Sequence, residues 1–359
     1  MFNIFVNLKK DELYYNFRIF SKNFRIFRIF DFFKIINNIN EHLKLCTSRT
    51  ESASRGNLFF WKNRNKFTQK EKIWYISQQF YERLGYFPDL VNPKTFNEKL
   101  NWMKLHYYNP LETRCIDKYE FKNYIKEKLG DGYTIPLLGV WDSVDEIDFD
   151  RLPEKFVIKT NHGGGGQEGI YVVNEKFKEN INKIKYLFND WLQPWNNVYY
   201  SSILPGYQNI KPKIIVENNN TISMECRVYC FHGEVKFVLL KEAYELYNRT
   251  RLVDKNFNDI LFYIRHKPYK LINKKPYYFE EIVRLSEILS KEFPFVRVDF
   301  MISENKIYVG ELTFTPAGGY NIIKPVDWDY KIGEWLDLTK LNRDYLTDND
   351  PKTLKVVGG

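Results

Sequence analysis

Two carboxylates late in the chain carry its sharpest chemistry. Residues 295–302 and 306–312 read as two strands joined by Ser303-Glu304-Asn305, hence as an antiparallel hairpin. Alternation places Arg297 and Asp299 on one face of the first strand, and Glu311 and Thr313 on one face of the second. A turn centred near Asn305 sets Asp299 almost opposite Glu311. Facing carboxylates repel unless something positive lies between them. Val296, Val298, Phe300, Val309, Leu312 and Phe314 mark the hairpin as buried, where carboxylates need partners. Mg2+ held by carboxylates together with substrate phosphates meets that need. A structural ion pair with Arg297 or a nearby lysine is the alternative.

A second candidate lies at mid-chain. Phe156-Val157-Ile158-Lys159-Thr160-Asn161-His162 leads into Gly163-Gly164-Gly165-Gly166, and Ile170-Tyr171-Val172-Val173 follows. Glycine tolerates backbone angles that other residues avoid, so its N–H groups can wrap a phosphate closely. In the Walker and dinucleotide patterns such a loop opens a helix; here it opens a strand. A strand–loop–strand hairpin with a lysine at its lip suggests a flap over a nucleotide's phosphates. A surface hairpin without a ligand is the other reading.

The elements that must position these residues follow from periodicity. Thr68 starts a helical pattern with Ile73, Ile76, Phe80 and Leu84 on one face and Gly85 as its stop. Asn92-Pro93-Lys94-Thr95-Phe96-Asn97-Glu98-Lys99 reads as a turn and cap before a helix whose inner face carries Leu100, Met103 and Trp102. A third helix begins at Asp117-Lys118 and ends at Gly130-Asp131-Gly132. Residues 135–141 and 213–217 read as strands, the latter ending at Glu217. Residues 225–231 and 234–239 form a hairpin across His232-Gly233, and a helix spans 279–292.

Bulk properties set bounds. The chain has 359 residues, a net charge of +9 and 44% hydrophobic content, with a mean hydropathy of -0.48. That describes a soluble globular protein whose partner is acidic: nucleic acid, anionic lipid or an anionic substrate. Four cysteines (Cys46, Cys115, Cys226, Cys230) and no secretory signal point to a reducing compartment. No histidine or cysteine spacing suits a metal site, and no apolar run is long enough to span a membrane. Residues 17–36 interleave bases with Phe and Ile. On a helix, Arg18, Lys22 and Arg25 oppose Phe20, Phe24 and Phe27, which suits either an anionic membrane surface or docking on the main domain.

Taken in order, these pieces resemble the ATP-grasp superfamily, and within it the TupA-like branch named for teichuronopeptide synthesis. The resemblance covers roughly residues 60–340. It is carried by Pro93-Lys94-Thr95-Phe96-Asn97-Glu98-Lys99-Leu100-Asn101-Trp102, Asp117-Lys118-Tyr119, Ile135-Pro136-Leu137-Leu138-Gly139-Val140, Lys159-Thr160-Asn161-His162-Gly163 and Gly310-Glu311-Leu312-Thr313-Phe314-Thr315-Pro316. It implies an α+β ATP-grasp fold, two α+β subdomains enclosing ATP, with an N-terminal helical extension. The implied boundaries are a basic amphipathic segment and linker at 1–58, an ATP-grasp domain at 59–338 and a tail at 339–359. Within the domain, the flap subdomain covers about 133–212 and the metal-binding subdomain about 213–338.

By that resemblance Lys118 and Lys159 contact the ATP phosphates, with His162 and Gly163, Gly164, Gly165 and Gly166 closing over them. Val216 and Glu217 lie at the adenine and ribose end, through hinge backbone and carboxylate. Asp299 and Glu311 match the superfamily's Mg2+ ligands, and Thr313 stands where Asn is usual. Arg227 and Arg297 are the arginines expected at the transferred phosphate, and Arg249 and Arg251 are candidates for a carboxylate substrate. The implied reaction activates a carboxylate with the γ-phosphate of ATP and lets an amine attack the acyl phosphate. Such chemistry needs positioning and charge neutralisation rather than a nucleophilic side chain.

The implied setting is the cytoplasmic face of the cell membrane. There an amino acid or amine would be joined to an anionic cell-surface polysaccharide or its lipid-linked precursor. A glycosyltransferase of surface-polysaccharide assembly is the competing enzyme class, with Asp148-Phe149-Asp150 as its weak metal motif. A nucleic-acid-binding module explains the charge but not the ordered motifs, so nucleic acid is not expected.

Overall fold

A computed structural model describes residues 68–163, 169–242, 250–265, 267, 272–303, 306–348 and 350–358. The expectations for 1–58, for Gly164, Gly165 and Gly166, and for Arg249 lie outside the described residues. All described residues belong to one compact unit, Asn63–Gly359.

Four helices come first: α1 (Gln69–Leu84), α2 (Phe96–His106), α3 (Pro110–Ile116) and α4 (Glu120–Leu129). Two of them start on capping boxes, Thr68 with Glu71 and Thr95 with Glu98, which satisfy backbone donors that a helix start leaves open. Helix α1 stops at Gly85, whose φ of 83° suits glycine. Helix α3 was not foreseen in the sequence, although Asn109 caps it and Pro110 occupies its first turn.

A four-stranded antiparallel sheet follows, in the order β1-β4-β2-β3, built from β1 (Leu137–Trp141), β2 (Phe156–Thr160), β3 (Ile170–Val173) and β4 (Ile214–Asn218). Phe156, Ile158, Ile214 and Val216 bury one face against Ile184 and Phe188 of α5 (Ile181–Trp191), and a short helix, α6 (Val198–Ser202), follows. A second antiparallel sheet has the order β10-β9-β5-β6-β7. Its strands are β5 (Met224–Phe231), β6 (Glu234–Glu242), β7 (Thr250–Val253), β9 (Phe295–Ile302) and β10 (Ile307–Thr313). Two-residue strands β8 (Tyr263–Ile264) and β11 (Ile323–Lys324) pair separately.

Alternation along β5 and β9 splits the second sheet into two faces. Cys226, Val228, Cys230, Val296, Val298 and Phe300 pack on Ile282, Leu285 and Leu289 of α7 (Phe279–Ser290) and on Phe121 and Ile125 of α4. The cysteines are therefore ordinary buried thiols. On the other face, Tyr229, Phe231 and Phe295 meet Phe96 and Leu100 of α2 and Ile332 of α8 (Asp327–Trp335). Leu341 and Val357 join that cluster, so the stretch expected as a tail contributes core residues. Two antiparallel sheets with helices packed against them make the α+β arrangement that the sequence implied.

Candidate nucleotide site

The register of the last hairpin decides where its carboxylates sit. Ile307 faces Ile302 and Val309 faces Phe300, which continued regularly would bring Gly310 opposite Asp299 and turn Glu311 to the other face. Instead the register shifts between Val309 and Glu311, and Glu311 stands opposite Asp299. A bulge at Gly310, not a turn centred on Asn305, makes the pair. A Cβ at Gly310 would lie 2.9 Å from Met301 Cε and 3.3 Å from the Asp299 carbonyl oxygen, so the bulge favours glycine.

Arg297 occupies the space between the carboxylates. Its Nε donates to Asp299 Oδ1 (2.6 Å) and its Nη2 to Asp299 Oδ2 (2.6 Å), Glu311 Oε1 (2.9 Å) and Thr313 Oγ1 (3.1 Å). The Thr313 hydroxyl in turn donates to Glu311 Oε1 (2.9 Å). The ion pair held as the alternative is thus present. Burial pushes the Asp299 carboxyl upward while Arg297 opposes it. Glu311, unlike the buried carboxylate expected, has a side chain 48% exposed; desolvation works against its charge, but Arg297 and Lys118 outweigh it and hold that carboxyl down at about 2. On β5, Arg227 stands across from Asp299. Its Nη2 donates to Glu225 (2.6 Å), while its buried Nε lies 3.9 Å from Asp299 Oδ2 without a hydrogen-bond partner.

The first sheet supplies the lysines. Lys159 is the penultimate residue of β2, and the partner strand β4 carries Glu217 opposite Val157, two residues earlier on the same face. Glu217 is buried between two ammonium groups, Lys159 at 2.5 Å and Lys122 at 2.5 Å. Lys122, on α4, was not foreseen as a site residue. Val216 is a core residue whose backbone is flanked by β1 and β2.

Lys118 lies against the lip of the glycine loop. Its backbone N–H donates to the Asn161 carbonyl (3.1 Å), and its Nζ donates to the Gly163 carbonyl at the mouth of the glycine loop. Burial lowers its ammonium to about 8; Glu311 works against that shift and Lys159 adds to it. Asn161 anchors the lip by donating to Asp117 Oδ2 (2.9 Å) and the Lys211 carbonyl (3.0 Å) and accepting from Lys213 N–H (2.7 Å). His162 is buried and neutral, its imidazole lowered to about 4 by burial and by Lys118. Tyr207 is a further neighbour that the sequence did not reveal. Burial and then Glu311 push its phenol up, while Arg297 opposes them.

Arg251 donates from Nε to Asp259 (2.7 Å) and from Nη1 to the Ile272 carbonyl (3.3 Å). Asp148 caps Asp150 N–H (3.2 Å) in an exposed turn rather than ending a strand.

An α+β fold in which a lysine beside a glycine loop meets a carboxylate hairpin defines the ATP-grasp class. A family model for TupA-like ATPgrasp matches residues 98–337, and the chain belongs to that family. None of the curated proteins compared with the chain matches it. Solved structures give distant likenesses. D-alanine–D-alanine ligase from Bacillus anthracis, complexed with ATP, is 16% identical over 56% of this chain and 55% of that one, with a TM-score of 0.34. The ADP complex of N5-carboxyaminoimidazole ribonucleotide synthetase gives 14%, 61%, 51% and 0.39. D-alanine–D-alanine ligase from Helicobacter pylori gives 13%, 68%, 66% and 0.38. This chain spans about half of the first two enzymes' length.

Proposed function

We propose that this protein is an ATP- and Mg2+-dependent carboxylate–amine ligase of cell-surface polysaccharide biosynthesis, joining an amino acid or amine to an acidic glycan. The observation that carries the reading is the position of Lys118. Its Nζ donates to the Gly163 carbonyl at the glycine-loop lip, and the charge of Glu311 on the carboxylate hairpin favours its protonated form against burial. A triphosphate placed there would meet Lys118 and Lys159 and bring charge to offset theirs.

The hairpin fits a divalent cation. Asp299, Glu311 and the Thr313 hydroxyl are hard oxygen donors on neighbouring positions of two strands. Among the described residues no group of three or more His, Cys, Asp or Glu forms a metal cluster. Mg2+ would take its remaining oxygens from phosphate and water, its ordinary habit at nucleotide sites. When bound, it would neutralise phosphate charge during transfer. Arg297, which bridges Asp299 and Glu311, and Arg227, whose Nε has no hydrogen-bond partner, would be the arginines available to that phosphate.

Among the described residues no helix is long and apolar enough to cross a membrane. Work at the cytoplasmic face would rest on residues 17–36 and on the basic charge. Asp148, committed to its own turn, gives the glycosyltransferase reading no support.

The test is ADP release with panels of amino acids, amines and acidic glycans. The ligase reading expects release that needs Mg2+, an amine and a carboxylate together. Consumption of a UDP-sugar without ADP release would overturn it.

A further inference from the structure

Helix α2 buries a lysine with no acid beside it. Lys104 is 6% exposed. Its Nζ donates to Asn101 Oδ1 (2.9 Å) and lies 4.4 Å from the centroid of the Tyr320 ring. Arg83, from the last turn of α1, shares that ring, its guanidinium carbon 4.8 Å from the centroid. Arg83 also donates to Gln79 (3.3 Å) and acts on the Tyr75 phenol, and among the described residues neither cation has a carboxylate partner. Burial, and then Arg83, pull the Lys104 ammonium well below its ordinary value.

Tyr320 is equally incomplete. It is 6% exposed, yet its hydroxyl has no hydrogen-bond partner. Buried hydroxyls rarely go unpaired, and a buried ammonium normally has an anion. The groups around Tyr320 are fixed in place. Asn101 donates to the Gly319 carbonyl (2.7 Å), and a Cβ at Gly319, where φ is 80°, would come within 2.8 Å of Asn101 Nδ2. Asn101 thereby holds both Lys104 and the turn that presents Tyr320.

We propose that Lys104, Arg83 and the Tyr320 hydroxyl bind one anionic oxygen group, a carboxylate or a phosphate, of the enzyme's substrate. All three are donors, and an anion would answer the buried charge and the unpaired hydroxyl together. Its assignment to substrate rests on the ligase reading. The acidic glycan carries carboxylates, and a lipid-linked precursor carries phosphate.

The chain connects this site to the nucleotide site twice. Tyr320 follows Glu311 directly, through the end of β10 and the short turn Pro316–Gly319. Leu105, beside Lys104, packs in one cluster with Ile203. From Ile203 the chain runs on to Tyr207, in the field of Glu311 and Arg297. An anion held at Lys104 would thus anchor a substrate whose other end reaches the carboxylate hairpin.

The experiment uses the full chain, with sodium acetate and inorganic phosphate as probes against chloride at constant ionic strength. The readout is the thermal unfolding midpoint as each anion is titrated. At least one anion is expected to raise the midpoint saturably. The response should survive in Lys159→Ala and vanish in Lys104→Met, with affinity about tenfold weaker in Tyr320→Phe and Arg83→Gln. A response to acetate assigns a carboxylate, and one to phosphate alone assigns a phosphate. Absence of any saturable response overturns the proposal, as does an unchanged response in Lys104→Met. Should Lys104→Met fail to fold, an unchanged response in surface-exposed Arg83→Gln and in Tyr320→Phe overturns it equally. ATP affinity measured alongside keeps the two readings apart, because Lys104→Met should bind ATP as the wild type does.

Discussion

Lys118 receives opposite influences from the two sheets, and its titration should show it. Its folded value, about 8, lies below the ordinary 10.5. Between those values the unfolded chain binds more protons, so this residue's contribution to stability rises with pH from about 8 upward. Comparing urea unfolding at pH 8 and pH 10, the wild type should gain stability relative to Lys118→Met. Parallel pH dependence in the two would contradict the buried ammonium. Glu217 makes a second residue-scale case. Glu217→Gln leaves Lys122 and Lys159 facing each other without their shared anion, and breaking such a buried pair costs roughly 3 kcal/mol. Urea titration checks this, and a loss below about 1 kcal/mol would remove Glu217 as their keystone. Lys118 and Lys159 were legible because motifs flank them. Lys122 was not, because it sits in a run with Lys126 and Lys128 that reads as a solvated face.

At the scale of elements, the hairpin shows where pattern reading succeeds and where it stops. Strand alternation put Arg297 with Asp299 and Glu311 with Thr313 on one face, and the structure pairs them across the hairpin. Alternation could not show the bulge, because one extra residue leaves no mark on composition. Without Gly310 as that residue, Glu311 would turn toward the face occupied by Val298. Gly310→Ala forces a Cβ against Met301 and the Asp299 carbonyl. We expect a stability loss of about 1–3 kcal/mol, with ADP release reduced more than tenfold because Glu311 leaves its place. Wild-type turnover in Gly310→Ala would show that the bulge does not position Glu311.

Helix α2 teaches a different lesson. The run Thr95-Phe96-Asn97-Glu98, quoted for its resemblance to a family of enzymes, is a structural clamp. Asn97 donates to Asp329 Oδ2 (2.7 Å) and the Asn321 carbonyl (2.9 Å), and Glu98 accepts from three backbone N–H groups at 3.0 Å each. The clamp docks α2 beside the loop that follows β10.

At the scale of the whole molecule, order along the chain was readable and convergence in space was not. The sequence could place a lysine, a glycine loop and two carboxylates in succession. Only the packing of two sheets brings Glu311 into the field of Lys118 and Tyr207. The same limit hid the final residues, whose charged composition masks Leu341 and Val357 in the core.

The central claim is that both sheets serve one nucleotide. ATP titration of the full chain with Mg2+ tests it most directly, using Lys159→Ala from one sheet and Glu311→Gln from the other. Lys159→Ala should keep its fold, since Glu217 retains Lys122. The account predicts ATP binding by the wild type and at least tenfold weaker binding in both variants, with unchanged circular dichroism. Wild-type affinity in both variants would contradict it.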